Sequence, residues 1–215
     1  MSIEITEWII RIPVLLFAIT IHEYSHGKAA FSLGDPTAKN AGRLSFNPLT
    51  HIDPLGALCL FLFNFGWAKP VPVNVNYFRN RRRDIILMAL SGPVSNIATA
   101  FAAGLFIRYF YVQWEIYQKL LFYMILMNCG LGIFNLLPIP PLDRSHVMEN
   151  ILPYKISLTY RKIGTYAPFL LVGILIFDNF ARINILGKLL GYPIFAIAHL
   201  FGGDNFYSLI FQAMR

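Results

Sequence analysis

Residues 8–34 read WIIRIPVLLFAITIHEYSHGKAAFSLG, an apolar run that passes directly into a cluster of ionisable side chains. The apolar part ends at Ile21, and HEYSHG follows it with no turn signal between them. If the polar residues continue the helix, the element is long enough to cross a lipid bilayer, which takes about 20 residues. The stretch therefore predicts a membrane-spanning helix that carries its ionisable groups near one end.

The composition is typical of a membrane protein. Of the 215 residues, 56% are hydrophobic and 13% are charged, against roughly 25% charged residues in an average soluble domain. The apolar residues form long blocks separated by basic or proline-rich loops. We predict an all-α polytopic membrane protein in which residues 1–215 form a single domain embedded in the lipid bilayer.

Long apolar blocks predict a helical bundle with about five spans. After the first helix, the blocks Asp84–Tyr111 and Leu120–Leu137 are long enough to cross the bilayer. Ala167–Ala181 and Ile185–Phe201 are weaker candidates, because they contain Asp178 and Lys188. The bundle is therefore expected to fill the whole chain.

Residues 55–76 predict a re-entrant or β-hairpin element rather than a span. The apolar run at 55–68 is too short to cross the bilayer completely. The following KPVPVNVN, residues 69–76, alternates proline and valine, and proline both blocks a helix and favours extended geometry in the residue before it. Such an element could gate a site or pair as an edge strand with another extended chain. Simple membrane anchoring is the alternative.

Basic residues indicate the orientation in the membrane. We attribute the net charge of +7 to topology rather than to nucleic acid, because the basic residues cluster in short loops beside apolar segments. If residues 55–68 enter the bilayer and leave it on the same side, 12 of the 18 basic residues lie on the membrane face where the first helix ends. The positive-inside rule makes that face cytoplasmic. The twelve are Lys28, Lys39, Arg43, Lys69, Arg79, Arg81, Arg82, Arg83, Arg144, Lys155, Arg161 and Lys162.

His22-Glu23-Tyr24-Ser25-His26 is an H-E-x-x-H motif on the first predicted helix. Imidazoles one turn apart share a helix face and can bind one metal ion. Zinc suits two neutral imidazoles and a carboxylate with water in the fourth position, and Glu23 can then act as general base on a zinc-bound water. A solvated face is the alternative, but three ionisable groups on an apolar membrane helix are costly unless paired or metal-bound.

Asp143 is the candidate third ligand. It ends NLLPIPPLD, residues 135–143, which follows a predicted span on the face where the first helix ends, so it can meet His22 and His26. A cap at a helix start is the alternative role for this aspartate. His146 is a competing ligand, because it would share a helix face with Asp143.

Two asparagines are candidate substrate-binding residues. Asn96, in SGPVSN at 91–96, could hydrogen-bond a substrate backbone, although hydrogen bonding between helices is the commoner use of such an amide. Asn135 lies at the end of the span that leads to Asp143 and could contact substrate or stabilise an oxyanion. A helix-terminal hydrogen bond is its alternative role.

Together these motifs resemble the site-2 proteases, a family of intramembrane zinc metalloproteases. The motifs that carry the resemblance are HEYSHG, GDPTAKNAGRLSFNPLTHIDPLG, GWAKPVPVN, FRNRRRD, SGPVSN and NLLPIPPLD. The chain resembles the short form of the family, which has neither PDZ nor CBS domains. It implies one Zn²⁺ ion held by His22, His26 and Asp143. It also implies that Glu23 is the catalytic glutamate, in a small helical bundle that water enters from the cytoplasmic side.

The resemblance predicts a zinc metalloendopeptidase that cleaves membrane-spanning or membrane-adjacent proteins within a bacterial or archaeal cell membrane. One residue departs from the family pattern, because Leu142-Asp143-Arg144 stands where the family has Leu-Asp-Gly. This departure leaves a weakened or inactive zinc-binding scaffold as an alternative. An ion pathway is a further alternative for buried His and Asp groups, although a pathway would not require Glu23 beside a metal histidine.

Overall fold

Helices make up almost all the regular structure in the computed structural model, which describes residues 5–63, 66–110, 112–139, 142–143, 147–148, 151–181 and 185–206. These residues form no β-strand, which confirms the predicted all-helical class. The helices are α1 (Ile5–Ser32), α2 (Thr37–Asn40), α3 (Pro54–Phe63), α4 (Arg81–Tyr109), α5 (Glu115–Asn135), α6 (Tyr154–Ala181) and α7 (Ile185–Gly202).

Three helices in the described part of the chain are long and apolar enough to cross a membrane. They are α1 from Glu7 onward, α4 and α5. The 29 residues of α4 measure about 43 Å at 1.5 Å per residue, more than the roughly 30 Å of hydrocarbon in a bilayer. The spans predicted at 84–111 and 120–137 correspond to α4 and α5. The weaker candidates at 167–181 and 185–201 lie within α6 and α7, so the count of about five spans stays a prediction.

The bundle is built around α4, which packs against α1, α5 and α7. Helix α1 runs antiparallel to α4, since His26 contacts Met88 while Ala18 contacts Asn96. Small residues on α4, including the buried Ala100 and Ala103, allow its neighbours to approach closely, as is usual between membrane helices. The result is a tightly packed centre in which polar side chains of three helices can meet.

The sequence predicts a re-entrant or β-hairpin element at 55–76, and the described residues there form α3 without a β-strand. The hairpin alternative is therefore wrong, and re-entry stays a prediction. After α3, the chain turns back so that the backbone of Trp67 lies against Gly56, where a Cβ atom would stand 2.1 Å from the Trp67 oxygen. The pairing in this region is a single antiparallel bridge between Ile52 and Ala68. An apolar segment satisfies its own backbone groups most completely as a helix, which explains why α3 forms.

The edge strand predicted at 69–76 is also replaced by other structure. Residues 69–74 form neither helix nor strand, and a 3-10 turn occupies Val75–Tyr77. Three hydrogen bonds tie the segment to the end of α1 and the following loop. The Asn74 N–H donates to the buried Asp35, the Lys69 oxygen accepts from Arg43, and the Val71 N–H donates to Glu23. The 69–74 segment therefore lies along the polar end of α1.

Candidate metal centre

Two histidines of α1 face the interior of the bundle. His22 and His26 lie one helical turn apart, both are buried, and their Nε2 atoms are 3.1 Å apart. The rings meet edge to face with an interplanar angle of 83°. Gly92 of α4 lies directly against both rings. The i,i+4 spacing therefore produces the shared face that the sequence predicts, and it places that face between α1 and α4.

Asp143 reaches the same position from beyond the end of α5. Its Oδ2 atom lies 2.9 Å from His22 Nε2 and 3.3 Å from His26 Nε2. When His22 and His26 are protonated, their hydrogen bonds and charges outweigh burial, which alone would raise the pKa of this carboxyl, and hold that pKa well below its usual range. Asp143 therefore presents an ionised carboxylate to the two imidazoles.

The three groups together create a position for a cation. His26 Nδ1 faces the Met88 carbonyl oxygen at 2.8 Å, and His22 Nδ1 faces the side-chain oxygen of Asn96. A neutral imidazole with its proton on Nδ1 has its lone pair on Nε2, which here faces Asp143. Two lone pairs and a carboxylate oxygen repel one another unless a proton or a metal ion lies among them.

The donor atoms and their spacing fit zinc. Tetrahedral zinc with bonds of about 2.0–2.1 Å places its ligand atoms about 3.3 Å apart. The separations here are 2.9, 3.1 and 3.3 Å. Two imidazole nitrogens and one carboxylate oxygen also match catalytic zinc sites, which leave a fourth position open, whereas calcium and magnesium prefer oxygen ligands. His22, His26 and Asp143 can therefore hold a zinc ion.

Glu23 lies beside this cluster without contributing to it. The cluster of candidate ligand atoms consists of His22, His26 and Asp143. Glu23 instead accepts a hydrogen bond from the Val71 N–H at 3.1 Å through Oε2. The general-base role of Glu23 stays a prediction, since a base must also lie within hydrogen-bond reach of the attacking water.

The two candidate substrate-binding asparagines differ in their surroundings. Asn96 is completely buried, and its amide contacts His22, Ala18 and Asn128. These contacts favour the interhelical alternative for Asn96. Asn135, the last residue of α5, is partly buried and donates to the Leu131 oxygen at 3.1 Å, which is a helix-terminal bond. Its possible contact with substrate stays a prediction.

Two residues raised by the sequence lie outside the described part of the chain. These are His146, the competing ligand, and Arg144, which stands in place of the family glycine. Two functional candidates were missed by sequence reasoning, namely Asn128 and Gly92. Asn128 could have been found as a polar residue within an apolar span, since such residues are costly in a membrane and often functional. Gly92 carried no comparable signal.

A position that can hold zinc between two helices long enough to cross a membrane, with a glutamate beside it, is typical of a membrane metallopeptidase. Comparison with known proteins agrees. Residues 111–175 match the family described as peptidase family M50. YwhC of Bacillus subtilis, described as a candidate zinc metalloprotease, is 37% identical over 148 residues, which are 65% of this chain and 67% of that protein. The chain belongs to the site-2 protease family, peptidase family M50, whose members are membrane zinc metalloproteases.

Other relatives show the same family at lower coverage. Rip2 of Mycobacterium tuberculosis strain H37Rv, also described as a candidate zinc metalloprotease, is 28% identical over 169 residues, which are 75% of this chain and 63% of Rip2. Protease RseP of Yersinia pestis is 34% identical over 109 residues, 46% of this chain and 22% of RseP. The chain thus spans about two thirds of YwhC and less of the other two relatives. No solved structure matches significantly.

Removing any of the three candidate ligands is expected to abolish tight zinc binding. His22→Ala, His26→Ala and Asp143→Ala should each weaken zinc affinity by more than about 100-fold, because loss of even an outer-shell partner typically costs 10–100-fold. The measurement is zinc affinity of the purified chain by chelator competition. His146→Ala serves as the control and should bind zinc normally. Normal zinc binding by Asp143→Ala together with weak binding by His146→Ala would assign the third ligand to His146.

Proposed function

We propose that the chain is an intramembrane zinc metalloendopeptidase that hydrolyses peptide bonds within or next to transmembrane segments. The observation that carries this proposal is the convergence of His22, His26 and Asp143 beside Glu23, between spanning helices. A purely structural ion pair would need one histidine and one aspartate. Here two imidazoles donate their Nδ1 protons to other acceptors, which leaves both Nε2 atoms available to bind a metal ion.

In the proposed mechanism, His22, His26 and Asp143 hold the zinc ion and Glu23 moves the protons. A zinc ion held there would polarise the scissile carbonyl as a Lewis acid and would lower the pKa of water towards about 7. Glu23 takes the proton of the attacking water and later delivers a proton to the leaving amine. Asn135, at the end of α5 towards Asp143, is the candidate group for holding substrate or the developing oxyanion.

The Val71 N–H is proposed to aim the Glu23 carboxylate. This bond, 3.1 Å long, connects the glutamate to the 69–74 segment, which Asp35 and Arg43 anchor at its two ends. Because the Val71 N–H holds one carboxylate oxygen of Glu23, the other oxygen has a defined position. A general base that is held in the correct orientation reacts faster than one that rotates freely. The segment is therefore proposed to order the site where Glu23 projects from α1.

Replacing Val71 with proline is expected to lower turnover without loss of zinc. Val71→Pro deletes the N–H that donates to Glu23. We expect kcat to fall by about 10- to 100-fold, because one charge-assisted hydrogen bond contributes about 1.5–3 kcal/mol. Val71→Ala is the matched control, since it removes the same side-chain packing but keeps the donor. Equal losses in both variants would show that the side chain matters and the N–H does not.

The site is proposed to lie within the membrane and near its cytoplasmic face. Met88, which contacts His26, is seven residues into α4 from Arg81, or about 10 Å along the helix. The side chains of Arg81, Arg82 and Arg83 are exposed at the start of α4, as expected at a cytoplasmic boundary. The contact between Arg82 and the Ile151 oxygen brings the chain before α6 to the same end. Water would need only a short path to Glu23.

Helices α6 and α7 are proposed to complete a bundle of about five spans, with residues 54–68 re-entrant. Support for α7 comes from its packing on α4 and α5, where Ala198 and Phe206, just beyond the helix, are completely buried. Support for re-entry comes from α3, which is apolar along its whole length and turns back at Trp67. The 69–74 segment is the proposed docking edge for an unwound substrate, because a helical substrate buries its own carbonyl groups.

One preparation of the full chain tests the proposed function. Zinc stoichiometry is measured together with cleavage of a panel of transmembrane peptides in detergent micelles, before and after removal and return of zinc. One zinc ion per chain with zinc-dependent cleavage is the expected result. Zinc binding without cleavage of any peptide would instead support the inactive scaffold that Arg144 leaves open. Ion flux through vesicles without stable zinc would support an ion pathway.

A further inference from the structure

A chain of amide hydrogen bonds links α5 to the metal centre through α4. Asn128 on α5 donates to the Met124 oxygen at 2.9 Å and accepts from Asn96 Nδ2 at 2.8 Å. Asn96 also donates to the Ala18 oxygen at 3.0 Å, and its own oxygen faces His22 Nδ1. Both asparagines have no exposed surface. These hydrogen bonds therefore connect α5 directly to a candidate zinc ligand on α1.

The partners determine which way each amide points. Backbone carbonyls can only accept, so the nitrogen of Asn128 must face Met124 and the nitrogen of Asn96 must face Ala18. The oxygen of Asn128 then faces the second hydrogen of Asn96 Nδ2. The remaining atom of Asn96, its oxygen, must face His22. A hydrogen bond to this oxygen places the His22 proton on Nδ1 and leaves Nε2 free to bind metal.

A reversed Asn96 amide would have the opposite effect. Its nitrogen would donate to His22 Nδ1 and favour the imidazole with its proton on Nε2, which cannot bind zinc. Reversal would also bring the Asn96 oxygen against the oxygens of Ala18 and Asn128. Because both asparagines are completely buried, bulk solvent would not compensate for that repulsion. Asn128 is one of two groups that oppose the reversal, and it is the one that a side-chain substitution can remove.

We propose that Asn128 is a positioning residue for the zinc site, which acts through Asn96 to hold His22 in the tautomer that binds metal. This inference rests on the proposed ligand role of His22. Asn128 itself does not contact the ligand cluster, and its influence passes through the single bond to Asn96. The consequence is that a residue on α5, in a helix that contributes no ligand, sets the metal affinity of a histidine on α1.

Two substitutions separate this link from ordinary helix packing. Asn128→Leu keeps the branched shape and the number of side-chain heavy atoms and removes both hydrogen bonds. Asn128→Ser keeps a hydroxyl that can bond back to the Met124 oxygen, as serine does within helices, but its side chain is one bond too short to reach Asn96. Gln118→Leu is the matched control, because Gln118 is another buried amide of α5, and its side chain donates to the Val112 oxygen rather than to any residue of the metal centre.

The readouts are zinc affinity by chelator competition, the visible absorption spectrum of the Co²⁺-substituted chain, and the ¹⁵N-imidazole spectrum of the metal-free chain. Zinc affinity should fall about tenfold or more in both Asn128 variants, the low end of the effect of outer-shell changes, and the His22 signal should shift towards the Nε2-protonated form. Gln118→Leu should leave all three readouts unchanged. If Asn128→Leu does not fold, Asn128→Ser decides the question alone.

Three results would overturn the inference. They are unchanged zinc affinity and spectra in folded Asn128→Ser, equal losses in Gln118→Leu, or weakened zinc binding with an unaltered His22 tautomer. Failure of the proposed function is distinguishable, because in that case the unsubstituted chain itself would bind no zinc or cleave no peptide. Comparisons among variants of one zinc-binding chain therefore test the role proposed for Asn128.

Discussion

Glu23→Gln is expected to keep near-normal zinc binding and to lose peptide cleavage by about 10²- to 10⁴-fold, the range over which general acid–base groups contribute. Glutamine has the shape of glutamate, so it can still accept the Val71 N–H through its oxygen. It cannot take a proton from water near neutral pH. The variant therefore removes the chemical function of Glu23 while it preserves the position of the side chain.

The separation of Glu23 from the ligand cluster makes this result specific. His22, His26 and Asp143 converge on one position, and none of their contacts passes through Glu23. Zinc affinity and cleavage rate should therefore respond independently. They would fall together if Glu23 were a ligand. Zinc loss in proportion to the loss of cleavage would show that the role assigned to Glu23 is wrong.

Tyr24→Phe is the matched control for Glu23→Gln. Tyr24 is the next residue of α1, and its ring stacks on Phe46 with centroids 4.2 Å apart, away from the ligand cluster. Phenylalanine keeps the stack, so both zinc binding and cleavage should stay near normal. Equal loss of cleavage in Tyr24→Phe would indicate that this turn of α1 tolerates no change, whatever the chemistry of the side chain.

The parts of the fold that follow from hydrophobic length were predictable. Lipid requires about 20 apolar residues for each span, and the blocks that became α4 and α5 satisfy this length without ambiguity. Residues 55–68 do not, because a run this short cannot cross the bilayer, and its length alone does not distinguish a helix from a hairpin. The choice of α3 depends on the approach of Trp67 to Gly56, a contact between residues whose spacing carries no periodic signal.

The metal centre was predictable where chemistry is local and unpredictable where it depends on packing. The i,i+4 spacing of His22 and His26 determines their shared face on any α-helix. The meeting of Asp143 with those imidazoles could be inferred from topology, because two antiparallel spans return the chain to the same end. The bond from Asn96 to His22 could not, since it depends on the rotation of α4 about its axis. That rotation is set by small residues at the interface.

Gly92 is the small residue on which this interface depends most. A Cβ atom at this position would lie 2.4 Å from His26 Nε2 and 2.8 Å from His22 Cε1. Ring ends can usually rotate away from such a clash. Here they cannot rotate freely, because His26 is held by the Met88 oxygen and His22 by Asn96. A methyl group at Gly92 must therefore displace either the imidazoles or the whole of α4.

We expect Gly92→Ala to weaken zinc binding by more than about 100-fold, because metal sites tolerate ligand displacements of only about 0.2 Å. Overpacking of this kind also costs about 1–3 kcal/mol in folding free energy. Peptide cleavage should be lost with the zinc. The measurements are chelator competition for zinc affinity and thermal unfolding for stability, so that loss of the site can be distinguished from loss of the fold.

Gly130→Ala is the control that makes the result interpretable. Gly130 lies within α5, and a Cβ atom there would meet nothing closer than Ile194 Cδ1 at 3.8 Å, an ordinary contact. Both substitutions replace a helical glycine by alanine, so they share the same gain in helix propensity, about 1 kcal/mol. Only Gly92→Ala adds a clash with the candidate zinc ligands. Parent-like zinc affinity in Gly92→Ala would mean that α4 can shift without moving His22 and His26, and the close approach of α4 would then not determine the geometry of the metal site.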